Sequence, residues 1–241
     1  REYGHAGEET MKMRKRSGAL VNLLLILLIA ALYFATSRPD AAAAVAQLYY
    51  APAYRGRAED AIALQFAVSW EAASLDSILD ALAAHGAKAT FAVSGAWAEN
   101  NAALLLRMAA DGHEIATMGN DPSLDGKLSE VQRDVAVSLD KIEAACGVRP
   151  LLYYSGARNV TVSARAAKKL GLTHVLSTLD LRCAAGSAEE IKQRGLNDPI
   201  EGSILLMQPT AAAAEALPGL LNGFKGKGLE AVRVGDVLGL G

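Results

Sequence analysis

The sequence predicts an α/β fold: a parallel sheet of roughly seven strand–helix units, enough to close into a (β/α)7 barrel, with helices packed outside. Two observations carry that expectation. Strand-like and helix-like segments alternate from residue 61 to residue 234, the order that successive strand–helix crossovers produce. The runs AIALQFAV, THVLSTL and SILLM are apolar with little alternation, as strands buried on both faces are.

Taken in order, a strand is expected over 61–68, a helix over 74–85 closed by Gly86, and a strand over 88–93. A helix over 97–111 and a short strand over 113–116 follow. In LSEVQRDVAVSLDKIEAACG, the residues Leu128, Val131, Val135, Leu139 and Ile142 form one apolar stripe. Ser129 and Gln132 read as its capping pair, and Gly147 as its left-handed stop. A strand over 150–154, a helix over 161–170 and a strand over 173–179 come next. An irregular polar stretch then runs to Pro199, before a strand over 203–207, a helix over 211–225 and a strand over 229–234.

The barrel segment is preceded by a different kind of sequence. Residues 1–16 end in a basic cluster of Lys12, Arg14, Lys15 and Arg16, and residues 1–10 carry no structural signal, with Met11 or Met13 as start candidates. An apolar run of about 17 residues, Ala19 to Ala35, follows with Tyr33 near its far end. Positive charge before such a run places the N-terminus inside. Residues 17–37 are therefore expected to be a transmembrane signal anchor, and 38–58 a linker. The domain of 59–241 would lie outside the cytoplasm, secreted if the segment is cleaved.

Of the 241 residues, 51 % are hydrophobic, and the formal charge is −2, which gives no electrostatic basis for binding nucleic acid. No nucleotide-binding motif is read either. Cys146 and Cys183 form no metal-spaced or redox pair and read as unbridged structural thiols.

Binding sites on parallel α/β folds lie beyond the C-terminal strand ends. The first such corner holds Ala67, Val68, Ser69, Trp70 and Glu71, with no carboxylate before Glu71. Later corners supply Thr117 to Pro122, Tyr154 to Arg158, then Asp180 to Arg182, and lastly Met207, Gln208 and Pro209.

From about residue 58 onward the chain resembles the polysaccharide deacetylases, the NodB-homology or carbohydrate esterase family 4 domain. The phrases that carry the resemblance, in order, are HGAKATFAVSGAWAENNAALLLRMAADGHEIA, GVRPLLYY, GLTHVLSTLDLR and EGSILLMQPTAAAAEALPGLLNGFKGKGLEAVRVGDVL. QFAVSWE is similar to the T-F-D-[IV]-S-W-G variant of some spore-associated members. The resemblance implies a distorted barrel and, in an active member, a divalent metal such as zinc.

It also locates what this chain lacks. The place of the family's catalytic base is held by Ala67, that of a metal-binding Asp by Val68, and those of the two metal-binding histidines by Met118 and Pro122. Tyr154 stands for the third-motif arginine and Met207 for the catalytic acid, while Asp180 is retained in the fourth motif. Deacetylation needs a base, an acid and a metal-activated water. Val, Met and Pro supply no hard nitrogen or oxygen ligand for zinc. No cofactor is therefore expected.

The residues left at these corners to contact a ligand are Trp70, Glu71, Asn120, Asp121, Tyr154, Arg158, Asp180 and Gln208. Trp70 either stacks on a sugar or packs as a lid, and Arg158 either holds an anionic sugar or is solvated. His85, His113 and His174 read as structural, and one of Tyr153 and Tyr154 should face the core. Three functions are compatible with these residues. The first is a pseudoenzyme that binds cell-envelope glycan or scaffolds there, in a sporulation setting suggested by the Ser69–Trp70 variant. The second is an N-deacetylase with a relocated site using Glu71, Asp121 or Asp180. The third is a structural envelope protein that contacts another protein and no glycan.

Overall fold

A computed structural model describes residues 21–34, 51–70, 73–197 and 200–240. The chain divides into two units, Arg1–Tyr49 and Tyr50–Gly241. In the first unit, residues 21–34 are helical with outward apolar side chains such as Leu24, Ile26 and Ile29. No helix among the described residues is long and apolar enough to cross a membrane. The rest of the expected 17–37 span, residues 1–16 and linker residues 38–50 lie outside the described residues.

The second unit is built on an eight-stranded parallel sheet that curls into a half-barrel. Its elements are β1 (Ala61–Val68), α1 (Leu75–Ala84), β2 (Thr90–Val93), α2 (Gly95–Asn100), α3 (Ala102–Ala110), β3 (Glu114–Thr117) and α4 (Leu128–Cys146). They continue with β4 (Leu152–Tyr154), α5 (Val160–Lys169), β5 (Thr173–Val175), β6 (Leu179–Asp180) and α6 (Ala188–Leu196). The chain ends with β7 (Ile204–Met207), α7 (Ala211–Gly226), β8 (Glu230–Val232) and α8 (Val234–Leu238). The strand order is β5-β4-β3-β2-β1-β7-β6, with β8 on β1.

Side-chain alternation along β1 explains the two layers. Ile62, Leu64, Phe66 and Val68 pack with Leu75, Ile78, Leu82 and Leu217 in the sheet–helix layer. Ala61 and Ala63 pack instead with Ala92, Ala116, Leu152, Ile204 and Leu206 inside the curl. Large groups outside and alanines inside let the strands close tightly around a narrow interior. Phe66 stacks on Phe91 with centroids 5.1 Å apart. Each such fully buried side chain contributes about 1.5–3 kcal/mol.

The two edges of the curl are joined by one run of chain. β5 pairs with β4, β6 pairs with β7, and only residues 176–178 separate β5 from β6. The expected strand 173–179 is thus two strands, because its first part follows β4 and its last part follows β7. Residues 53–56 run along this seam: Ala53 N donates to His174 O (2.8 Å), Leu176 N to Ala53 O (2.9 Å) and Gly56 N to Gly202 O (2.7 Å).

Four other expectations are corrected. The helix expected over 97–111 is α2 and α3, broken at Asn101, whose φ of −132° is not helical. The irregular stretch contains α6, capped by Ser187 and Glu190. The last expected strand stops at Val232, and α8 begins two residues later. At α4 the capping carboxylate is Glu130, accepting from Lys127 N at 2.7 Å, so Ser129 and Gln132 lie within the helix. The first turn therefore starts two residues earlier than a Ser129 cap would allow.

Candidate functional site

All strands run parallel, so their C-terminal ends share one rim, the mouth of the curl. At β1, Ala67 faces the interior and Val68 is wholly buried against the helices. At β7, Leu206 faces the interior and Met207 is wholly buried in the sheet–helix layer. Val68 and Met207 therefore do not reach the mouth. Because faces alternate along a strand, the residue that does reach it is Gln208, directly after β7. Its Oε1 accepts from Cys183 N at 3.0 Å and its Nε2 approaches Asp180 Oδ1 at 3.5 Å.

Ala67, Ser69, Trp70, Ala184, Gln208, Pro209 and Thr210 line a pocket of about 160 Å³ at this rim. Trp70 is 80 % exposed, so it stands at the pocket edge and is no packed lid. Asp180 is exposed and accepts from Arg182 N at 2.8 Å. That short turn holds Arg182 at φ +52°, a conformation a side chain larger than glycine rarely takes. Asp180 also acts on its neighbours. Burial first, then the Asp180 charge, pushes the Tyr154 hydroxyl up to about 12. The Cys183 thiol is pushed up to about 11, chiefly by burial, so it is no nucleophile at neutral pH.

On the other side of the mouth, Met118 and Tyr154 lie in the interior cluster, both nearly buried. Asp121 is exposed and turned onto Ser123, whose Oγ and N donate to its Oδ1 and hold its carboxyl below the usual range. Pro122 is half-buried in the same loop. A second cavity of about 380 Å³ opens beside α4, lined by Asn120, Leu124, Arg133 and Val137 among others. Glu71 lies outside the described residues.

Arg158 is neither solvated nor open to a ligand. It is 3 % exposed and paired with Asp134 at 2.7 Å. Sequence reasoning missed Asp134, although a signal was present. Val131, Asp134, Val135 and Ser138 occupy one helical face, and a carboxylate among apolar residues demands a buried partner. His174, as expected, is structural: its Nε2 bonds Ser155 Oγ at 2.8 Å and its ring stacks on Tyr153. Cys146 and Cys183 are both free thiols.

The donor set at the mouth does not fit a divalent metal. Among the described residues, Ala67, Met118, Pro122 and Gln208 offer no imidazole or carboxylate, and Asp180 and Asp121 are isolated carboxylates, the latter turned onto Ser123. No cluster of three His, Cys, Asp or Glu side chains able to hold an ion occurs among the described residues. Among the described residues, the rim can offer hydrogen bonds from Ser69, Gln208 and Thr210, the separate carboxylates of Asp121 and Asp180, and the aromatic face of Trp70.

Uncharacterized protein YlxY of Bacillus subtilis (strain 168) is 32 % identical over 187 residues, which is 73 % of this chain and 57 % of that protein. The chain thus spans less than two thirds of that relative's length. Among solved structures, wild-type BA3943, a CE4 family pseudoenzyme from Bacillus anthracis, superposes with a TM-score of 0.74 at 23 % identity, covering 78 % of this chain and 68 % of that one. A BA3943 mutant is described as having restored enzymatic activity. The peptidoglycan deacetylase PdaC from Bacillus subtilis superposes with a TM-score of 0.67 at 22 % identity, covering 74 % of this chain and 90 % of that one. Likeness at these identities shows a shared fold. A family model described as polysaccharide deacetylase matches residues 55–175, half of the chain, and the chain therefore belongs to the polysaccharide deacetylase family.

Proposed function

We propose that this chain is a deacetylase-like protein that binds cell-envelope glycan without hydrolysing it. The observation that supports this reading is the composition of the mouth. Ala67, Met118 and Gln208 stand where a base, a metal ligand and an acid would be needed, beside an exposed Trp70 and a pocket of about 160 Å³. An acid or a base is each worth roughly 10²–10⁴ in rate. Losing them together with the metal ligands leaves no route to the tetrahedral intermediate. Exposed Trp beside hydroxyl and amide groups suits a sugar ring, whose apolar face stacks while its hydroxyls are hydrogen-bonded. BA3943, a pseudoenzyme on the same fold, makes such a loss of catalysis a reasonable state for this scaffold.

The basic cluster before the apolar run supports a signal anchor that leaves the domain outside the cytoplasm. A reporter fused after Gly241 should then be active only in an export-competent form; activity confined to the cytoplasm contradicts the topology. A sporulation setting rests on the Ser69–Trp70 variant alone.

Binding is tested by titrating the chain with chitotetraose and with muramidase-digested peptidoglycan, following tryptophan fluorescence. Saturable change that vanishes in Trp70→Ala is expected. No saturable signal with either glycan contradicts the reading and leaves a protein partner as the occupant of the mouth.

A further inference from the structure

The first residues of the loop joining β3 to α4 are gripped from two sides. Asp134, on α4, accepts from Asn120 N through Oδ2 (3.1 Å) and from Asp121 N through Oδ1 (2.9 Å). Arg158, in the β4–α5 loop, donates through Nη2 to Asp134 Oδ2 (2.7 Å) and to the carbonyl of Asp121. Its Nη1 donates to Tyr153 Oη at 3.0 Å. The two charged side chains are 1 % and 7 % exposed. Gly119 is part of the fit. Its φ is +86°, and a Cβ there would stand 2.3 Å from Asp134 Oδ2 and 2.6 Å from Arg158 Nη1.

Taking an ion pair out of water is costly, and an apolar pair of similar volume often serves stability as well. The bonds made by this pair show where that cost is spent. Apart from the Tyr153 hydroxyl, the groups it engages are the amides of 120 and 121 and the carbonyl of 121. We propose that Arg158 and Asp134 are positioning residues that fix residues 119–121, and with them one rim of the mouth, through protein charges and without a bound ion. The grip acts through three links at once. The carboxylate orients two N–H groups inward, the guanidinium draws the next carbonyl toward itself, and the ion pair ties α4 to the β4–α5 loop. This role is independent of whether a glycan binds at Trp70.

The test is site-resolved hydrogen exchange on the full chain, comparing the amides of Asn120 and Asp121 with those of Phe91 and Ala116 in the sheet. In Arg158→Met, exchange at 120 and 121 should quicken by about tenfold or more, the factor expected when charge-assisted hydrogen bonds are released, while 91 and 116 stay protected. Arg158→Lys, which keeps the charge but not the fork, should recover part of the protection. A chelator should leave the wild-type exchange unchanged. If Arg158→Met does not fold, Asp134→Asn, which keeps the shape and removes the charge, decides by the same readout. Unchanged exchange at 120 and 121 in a folded variant overturns the proposal. So does loss spread equally over the sheet, or loss caused by the chelator.

Discussion

Single residues separate three kinds of polar or aromatic burial in this chain. Trp70 is 80 % exposed, so Trp70→Ala should change stability by less than about 0.5 kcal/mol, as surface substitutions do. A packed Trp would cost about 3–5 kcal/mol, so the melting temperature distinguishes the two. Gln65 is the opposite case. It is fully buried on the interior face of β1, with neither amide atom partnered by protein. Leaving such a group unpaired costs about 1–3 kcal/mol, whereas an apolar side chain of the same shape avoids that cost. Gln65→Met should therefore leave denaturant stability equal or higher; a loss above about 1 kcal/mol would show that ordered water satisfies the amide.

The buried histidines add a pH dependence. Burial pushes His113 down to about 4, with Lys88 adding to the effect, and burial alone does the same at His174. Both folded values lie below the ordinary 6.5, so the unfolded chain binds more protons between pH 6.5 and 4. Stability is complete above 6.5 and falls as pH drops through that window, by up to about 1.4 kcal/mol per pH unit for each group. Denaturant midpoints measured from pH 7 to pH 5 should fall with pH, and His174→Gln should flatten the slope. Flat stability across that range contradicts neutral burial. His174 was readable as core-adjacent because it opens an apolar strand. The partner of Asp134 is not legible locally, because Arg158 is 24 positions away and only the fold brings them together.

At the scale of elements, α6 and α7 interlock through glycines. A Cβ at Gly195 would stand 2.5 Å from Leu220 Cδ2, and one at Gly223 would stand 2.5 Å from Leu196 Cδ2. Each glycine receives the other helix's leucine. Alanine at Gly195 gains up to about 1 kcal/mol of helix propensity but overpacks the contact at about 1–3 kcal/mol, so Gly195→Ala should be neutral to destabilising. Gly226, at the end of α7, has nothing within 4 Å, so Gly226→Ala should be neutral to stabilising. Equal shifts in the two melting curves contradict the interlock. The long periodic element α4 was legible from its stripe and from Gly147. Helix α6 gives a weak periodic signal because its apolar content is low and Gly195 interrupts it. Ser187 and Glu190 nonetheless spelled a capping box. The split of β5 from β6 had no local signal, because it follows from the change of partner strand.

For the whole molecule, alternation of apolar runs with helical stripes is enough to set a parallel α/β sheet, and the interior alanines of β1, β2 and β3 let it curl. Which residues face the mouth was less legible. In strands of three or four residues, moving one position exchanges inside for outside. That is why Met207 reads as a mouth residue from the family's fifth motif, whereas Gln208 is the one that arrives there. Among the described residues, the corrected mouth holds no cluster of His, Cys, Asp or Glu able to bind a metal. Purified chain dialysed against zinc should accordingly retain less than one equivalent; stoichiometric, chelator-reversible zinc would contradict that absence. The most direct test of lost catalysis with retained binding is acetate release from chitotetraose and peptidoglycan, measured with zinc present at concentrations where fluorescence shows the glycan bound. No release above the protein-free control is expected, with Asp180→Ala indistinguishable from the wild type. Turnover that disappears in Asp180→Ala would contradict the loss of catalysis and establish a relocated active site.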